Sequence, residues 1–197
     1  GRLLLGVGRA YQPGEFAGFG MDPATSRERF FEAMEILLKC FSGETFSHQG
    51  QFWSCNDVQL FPKPVQQPHP PIYMAAVSPP SYQLAAQHGL SILRAPRFTS
   101  LPMVQEQWQD YAGYMNEAGR DPMAQDQPML LQTYVAETEA EAKQTAEPHA
   151  MWYHELLQKV LPGAPGKEVH PSYELYDKVR QAHAQVTYED LANWGSA

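Results

Sequence analysis

The side chains that could do chemistry in this chain stand where apolar runs end. Arg9 follows directly on Leu3-Leu4-Leu5-Gly6-Val7-Gly8, and Ser78 and Ser81 bracket Pro79-Pro80 just after Ile72-Tyr73-Met74-Ala75-Ala76-Val77. A guanidinium at the end of a buried strand is costly to leave unpaired, so it must reach water, a carboxylate or an anion. Its planar fork suits a bidentate phosphate contact; a salt bridge to Glu15 or Asp22 would satisfy it equally. Ser78 and Ser81 stand where a helix starts, and free N–H groups with the positive dipole end collect anions at such a place. The competing reading makes Ser78 an ordinary N-cap and Ser81 its N3 partner. Pro79 and Pro80 pre-set the helical φ but remove two backbone donors, which shifts any anion contact onto Ser81, its N–H and a remote arginine.

Other constellations carry less. Gly6-Val7-Gly8 begins a dinucleotide fingerprint, but the sixth position of that pattern is Tyr11 rather than glycine. These glycines let a strand end lie close beneath a flat ligand, or they serve tight strand packing. The seven histidines fall in no HExxH or HxxxH spacing, and His149 and His154 are on different helix faces, so no metal site is expected. Cys40 and Cys55 are the only cysteines and form no CxxC pair, which points to a reducing compartment, by default the cytoplasm. With 14 Lys and Arg against 22 Asp and Glu, net charge -8, the chain has no basic stripe for nucleic acid. No apolar stretch is long enough to cross a bilayer, and no membrane partner is expected.

The elements that must position these residues read as alternating strands and helices. At 197 residues and 43% apolar content one domain is expected. Leu3–Gly8 is a near-continuously apolar strand of the parallel, buried kind. Residues 12–21 read as a Gly- and Pro-rich loop, Asp22-Pro23 as a helix start, and Ser26–Phe41 as a helix whose stripe of Phe30, Met34, Leu37 and Phe41 ends at Ser42-Gly43. Thr45–Trp53 reads as a hairpin turning at His48-Gln49-Gly50, and Phe61–Pro71 is too proline-rich for a ladder, so 43–71 is an insertion. Strand Ile72–Ala76 sends Tyr73 and Met74 to opposite faces. A helix to Gly89, a strand Leu90–Leu93, a helix Leu101–Ala118 and a fourth strand Leu130–Val135 follow. Beyond Thr138 the pattern is helical: 139–161 with a kink at Pro148, 173–184, and 188–194 after a Thr187 cap. The alternation implies right-handed crossovers and a parallel sheet. Four strands cannot close an eightfold barrel of about 250 residues, so the fold is either a small open sheet or the middle of a barrel. The abrupt apolar start suggests a piece of a longer protein.

Three blocks carry a family resemblance. Gly1-Arg2-Leu3-Leu4-Leu5-Gly6-Val7-Gly8-Arg9-Ala10-Tyr11-Gln12-Pro13-Gly14-Glu15-Phe16, with Phe19-Gly20-Met21-Asp22-Pro23 and Ser26-Arg27-Glu28, is one. Pro70-Pro71-Ile72-Tyr73-Met74-Ala75-Ala76-Val77-Ser78-Pro79-Pro80-Ser81 with Gly89-Leu90 is the second, and Glu117-Ala118-Gly119-Arg120-Asp121-Pro122 the third. In order and spacing they resemble the bacterial luciferase-like flavin monooxygenases, over most of residues 1–135. The resemblance implies an α/β fold, the central portion of a TIM-type (β/α)8 barrel, incomplete in this chain, with 1–138 as barrel elements and 139–197 as a helical extension. It implies reduced FMN as cofactor, with Arg9, Ser78 and Ser81 contacting its phosphate and Gly8 and Val77 beside them in the cofactor site. In luciferase a glutamate stands where this chain has Val77 and a cysteine where it has Gly8, which argues against light emission and for a generic oxygenase or reductase.

The implied reaction uses dioxygen and a small organic substrate, with a separate flavin reductase as partner and a homo-oligomer allowed. The family's catalytic histidine precedes Gly1, so no catalytic residue is assigned here, and a partial barrel on its own is expected to bind FMN weakly and to be inactive. The alternatives are a deazaflavin-dependent hydride-transfer oxidoreductase of the same fold, and a non-catalytic flavin-binding protein or inactive fragment.

Overall fold

A computed structural model describes residues 2–94 and 101–191, apart from the side chains of residues 101 and 102. Gly1 and the end of the helix expected over 188–194 lie outside the described residues. The chain divides into two compact units, one of residues 1–9, 25–94 and 105–128, the other of 10–24, 95–104 and 129–197.

The first unit is built on a parallel sheet of β1 (Leu5–Val7), β4 (Ile72–Ala75) and β5 (Ser91–Leu93), with β4 central. Leu5 pairs with Ile72, Val7 with Met74, and Met74 with Ile92. Those apolar partners share one face of the sheet, and helices α2 (Ser26–Ser42), α3 (Pro79–His88) and α4 (Leu101–Glu117) supply the rest of the core, including Met34, Tyr82, Ala85, Tyr111 and Met115. Removing that apolar surface from water is the main favourable term for the unit. Alternation then decides where the other side chains go. Met74 is fully buried against the helices, and Tyr73 lies on the opposite face, where its hydroxyl donates to Asp126 Oδ2 at 2.7 Å. That face is open, a concavity of about 490 Å3 lined by Gly6, Tyr73, Leu93 and Asp126.

The helices start and stop where the sequence punctuates them. Asp22 Oδ1 accepts from Ala24 N at 2.8 Å over a short 3-10 turn (Pro23–Thr25) that leads into α2, and α2 ends at Gly43 with φ +80°. α3 begins with Pro79 and Pro80 and ends at Gly89, φ +65°, whose N–H and that of Leu90 return to Ala86 and Ala85 carbonyls. Only glycine takes this left-handed conformation without cost, and the paired bonds close the helix end.

The hairpin is larger than its sequence suggests. β2 (Phe46–Gln49) and β3 (Ser54–Val58) pair antiparallel, so the turn lies at 50–53 and the return strand falls beyond Trp53. The turn is fixed from outside: the Glu32 carboxylate of α2 accepts the N–H groups of Gln51, Phe52 and Trp53 at 3.0, 3.0 and 2.9 Å. His48 faces the same carboxylate at 3.2 Å through Nε2, while its Nδ1 accepts from Lys39 Nζ at 3.3 Å. Burial alone would raise the Glu32 pKa, but the Trp53, Phe52, His48 and Gln51 donors outweigh it and hold the carboxyl below its ordinary value.

The second unit is helical. α1 (Pro13–Gly18) occupies part of the stretch expected to be loop: Pro13 at its first turn presets the helical φ, and it buries Phe16. α5 (Glu139–Val160) starts at Thr138, whose Oγ1 accepts from Glu141 N at 3.2 Å, and continues through Pro148. α6 (Glu174–Ala182) follows a 3-10 turn at Pro171–Tyr173, and α7 (Tyr188–Leu191) packs on α5 with Lys143 paired to Glu189. The fourth expected strand does not form. Leu130–Val135 runs without a ladder among the described residues, and Leu130, Leu131 and Val135 are exposed; its apolar side chains suit a strand, but no neighbouring strand supplies the hydrogen bonds.

Candidate functional site

Because β1, β4 and β5 are parallel, their carboxyl ends lie along one edge of the sheet. Chain exits there place Gly8 and Arg9 after β1, Val77 and Ser78 after β4, and Arg94 after β5. In α/β sheets this is the edge where ligands bind. Every cofactor residue expected from the sequence therefore reaches the same rim, except that Ser81 stands one helical turn into α3.

The head of α3 departs from an ordinary cap. Ser78 has extended backbone (φ -143°, ψ 150°) and occupies the N-cap, yet its side chain caps no helix N–H. Its Oγ lies 3.2 Å from Ser81 Oγ instead. The amides of Ser81 and Tyr82 both turn back to the Ser78 carbonyl, at 2.9 and 3.0 Å, and the two prolines have none to offer. The Ser81 N–H is thus already spent. An anion at this helix start meets two adjacent hydroxyls and the dipole end rather than a cradle of amides.

The glycines work differently from one another. A Cβ at Gly6 would meet nothing within 4 Å, so tight packing does not explain that residue; its bare backbone leaves the open sheet face smooth. A Cβ at Gly8 would stand 3.4 Å from Ala75 Cβ, the limit of ordinary contact. Gly6, Gly8 and Ala75 together form a floor of small residues on the face opposite the core, one that admits a flat group. Val77 beside it is 36% exposed. Arg9 is half-buried, and the next residue, Ala10, is held at φ +62°, a left-handed conformation that costs a residue with a Cβ about 1 kcal/mol.

Arg94 is the rim residue that sequence reasoning missed. It is only 7% exposed, donates from Nη2 to Gln127 Oε1 at 3.3 Å, and its guanidinium carbon stands 5.4 Å from the centre of the Trp108 ring. Its Nε has no hydrogen-bond partner among the described residues, and burial pushes its pKa down against the opposing pull of Tyr82 and Tyr111. The signal was present: an arginine directly after the apolar Leu90–Leu93 repeats the pattern that singled out Arg9. His88 sits in the last turn of α3, where a cation complements the helix dipole. Among the described residues no three metal-ligating side chains are grouped, and no helix is long and apolar enough to cross a membrane.

A positive rim, a hydroxyl pair and a flat small-residue floor suit a phosphate-bearing planar cofactor such as a flavin. Comparison with known proteins bears on that fit. The oxygenase component of the flavin-dependent trigonelline monooxygenase of Acinetobacter baylyi is 30% identical over 98% of this chain and 61% of its own length. An F420-dependent hydroxymycolic acid dehydrogenase of Mycobacterium tuberculosis is 28% identical over 73% of this chain and 39% of its own. Among solved structures, monooxygenase RslO1 of Streptomyces bottropensis superposes with a TM-score of 0.76 at 30% identity, covering 82% of this chain and 49% of that one. The chain spans about half the length of such relatives, and its parallel sheet is part of a TIM-type barrel like theirs. The family model described as luciferase-like monooxygenase matches residues 1–197, and this chain belongs to that family.

Proposed function

We propose that the protein carrying this chain is an FMN-dependent monooxygenase that acts on a small organic substrate with dioxygen, and that the phosphate of reduced FMN is held by Arg9, Ser78 and Ser81, with Gly8 and Val77 beside it. The observation that supports it most is the Ser78–Ser81 hydroxyl pair at the head of α3, on the sheet edge that also carries Arg9. Two hydroxyls donate to a phosphate dianion, and the guanidinium binds it with two parallel N–H bonds. The small residues Gly6, Gly8 and Ala75 leave room for a ring system along the open face, and the walls of a barrel mouth exclude water from it. Bound flavin supplies the electron pair that activates dioxygen. A separate reductase is the natural source of that reduced flavin, and the free thiols of Cys40 and Cys55 suit a cytoplasmic setting.

The test uses the full-length protein. Oxygen uptake that requires reduced FMN supports the reading, as does an Arg9→Ala variant that loses FMN affinity and keeps its affinity for riboflavin. Equal loss of both ligands removes the phosphate role. The F420-dependent relatives favour a second reading, hydride transfer with a deazaflavin held by the same rim. Binding of F420 with no oxygen uptake on reduced FMN would select it.

A further inference from the structure

The second unit contains a cavity of about 570 Å3 that the flavin reading leaves without an occupant. Its size is that of a small-molecule site. One wall comes from the segment just after Arg9, with Tyr11 and Phe16, and the other from the turn before α6, with His170 and Tyr173. The two halves interlock through rings. Tyr11 stacks on Tyr176 with centroids 4.7 Å apart and planes 3° from parallel, and Phe16 meets Tyr173 at 5.6 Å. Phe16 and Tyr173 are buried, so the wall is held rigid rather than assembled on demand.

The polar groups in this wall define what else the ligand must carry. His170 Nδ1 accepts from Ser172 N at 3.2 Å, which in the neutral ring fixes the proton on Nε2 and makes that nitrogen a donor. The charged residues of the lining are Asp22 and Glu168, both carboxylates, and they disfavour an anion. Rigid aromatic walls prefer a flat ring to a flexible chain, because the ring gains stacking contact and loses little conformational freedom.

We propose that this cavity binds a planar organic ring bearing a carbonyl oxygen and no negative charge, stacked against Tyr11 and hydrogen-bonded by His170 Nε2. The proposal concerns the second unit alone and assigns a ligand to its cavity, not the place of the flavin reaction.

The experiment measures binding of acetophenone, benzoate and 2-octanone to the full-length protein with FMN present, by saturation-transfer NMR. Acetophenone has the ring and the carbonyl, benzoate adds the negative charge, and 2-octanone keeps the carbonyl and the carbon count without the ring. Acetophenone is expected to bind about tenfold tighter than either comparator, and His170→Gln and Tyr11→Leu are each expected to weaken it about tenfold while FMN affinity stays within about twofold. Equal binding of the three probes, or acetophenone affinity untouched in both variants, overturns the proposal. Loss of FMN together with acetophenone also overturns it, since the cavity would then belong to the flavin. If the wild-type protein binds no FMN yet still selects acetophenone through His170 and Tyr11, the cavity stands and the flavin reading falls.

Discussion

Ser78 Oγ lies 3.2 Å from Ser81 Oγ, although Ser78 occupies the N-cap position of α3 and would ordinarily turn its oxygen to a helix amide. Losing a true Ser cap costs about 1 kcal/mol. Here no cap bond exists to lose, so Ser78→Ala is expected to change unfolding stability by less than about 0.5 kcal/mol. The same change, and Ser81→Ala, should weaken FMN about tenfold and riboflavin little. Urea unfolding alongside titration of the two flavins separates the cases; a large stability loss with unchanged FMN affinity would return the serines to a structural role.

Tyr111 is fully buried, and its hydroxyl donates to the Leu90 carbonyl at 2.7 Å. Burial raises its pKa to about 12 from 10.0, against the pull of Arg120 and Arg94. A phenol kept neutral in the folded state contributes stability that is whole below pH 10 and is lost as pH rises toward 12. Tyr111→Phe should therefore be less stable by about 1 kcal/mol at neutral pH, where Leu90 loses its donor. The gap to wild type should narrow between pH 10 and 12. Urea midpoints across that range test it, and a gap that widens with pH would contradict it.

The hairpin turn hangs on Glu32. A carboxyl with a lowered pKa contributes stability present above its unfolded value of 4.5 and lost as pH falls through the folded one. Protection factors of the Gln51, Phe52 and Trp53 amides, exchange rates taken relative to the unstructured chain at the same pH, should fall on acidification below that point and should be low at every pH in Glu32→Gln. Gly50→Ala should mimic it, since a Cβ there would overlap the Glu32 carboxylate and the His48 ring edge. Protection retained in both variants would show that the turn holds itself.

Arg94 is a buried cation whose described partners are a glutamine and an indole ring, with no carboxylate. Replacing such a charge with an apolar side chain of similar length removes a desolvation cost. Arg94→Met is expected to leave stability unchanged or to raise it by about 1 kcal/mol. A loss of more than about 2 kcal/mol in urea unfolding would mean that the guanidinium is compensated after all.

What the sequence disclosed depended on how local the cause was. The α2 stripe, the Gly43 and Gly89 stops and the Pro79-Pro80 start are written in adjacent residues, and each appears in the structure where periodicity and punctuation put it. Arg9, Ser78 and Ser81 were visible as residue types at strand and helix ends, but that Arg9 and Ser78 share one edge, with Ser81 in the first turn of the helix that leaves it, follows from the β1-β4-β5 order. The hairpin was cut short because its turn is set by a carboxylate 19 to 21 residues upstream. α1 was hidden by its Pro and Gly content. Leu130–Val135 has strand-like residues, but strand formation depends on a partner that no local pattern reveals. The aromatic cavity joins residues from opposite ends of the chain, and neither Tyr11 nor His170 stands out alone.

Over residues 79–82, the first turn of α3, the main chain has no donor left to give. Pro79 and Pro80 lack one, and the amides of Ser81 and Tyr82 are committed to Ser78. A loop that holds phosphate with its peptide groups keeps that ability under almost any exchange of side chains. Under the proposed reading that ability lies in the side chains of Arg9, Ser78 and Ser81, so single codon changes would retune or abolish it. A phosphate grip made of side chains would let point substitutions swap one phosphorylated cofactor for another with the barrel left as it is.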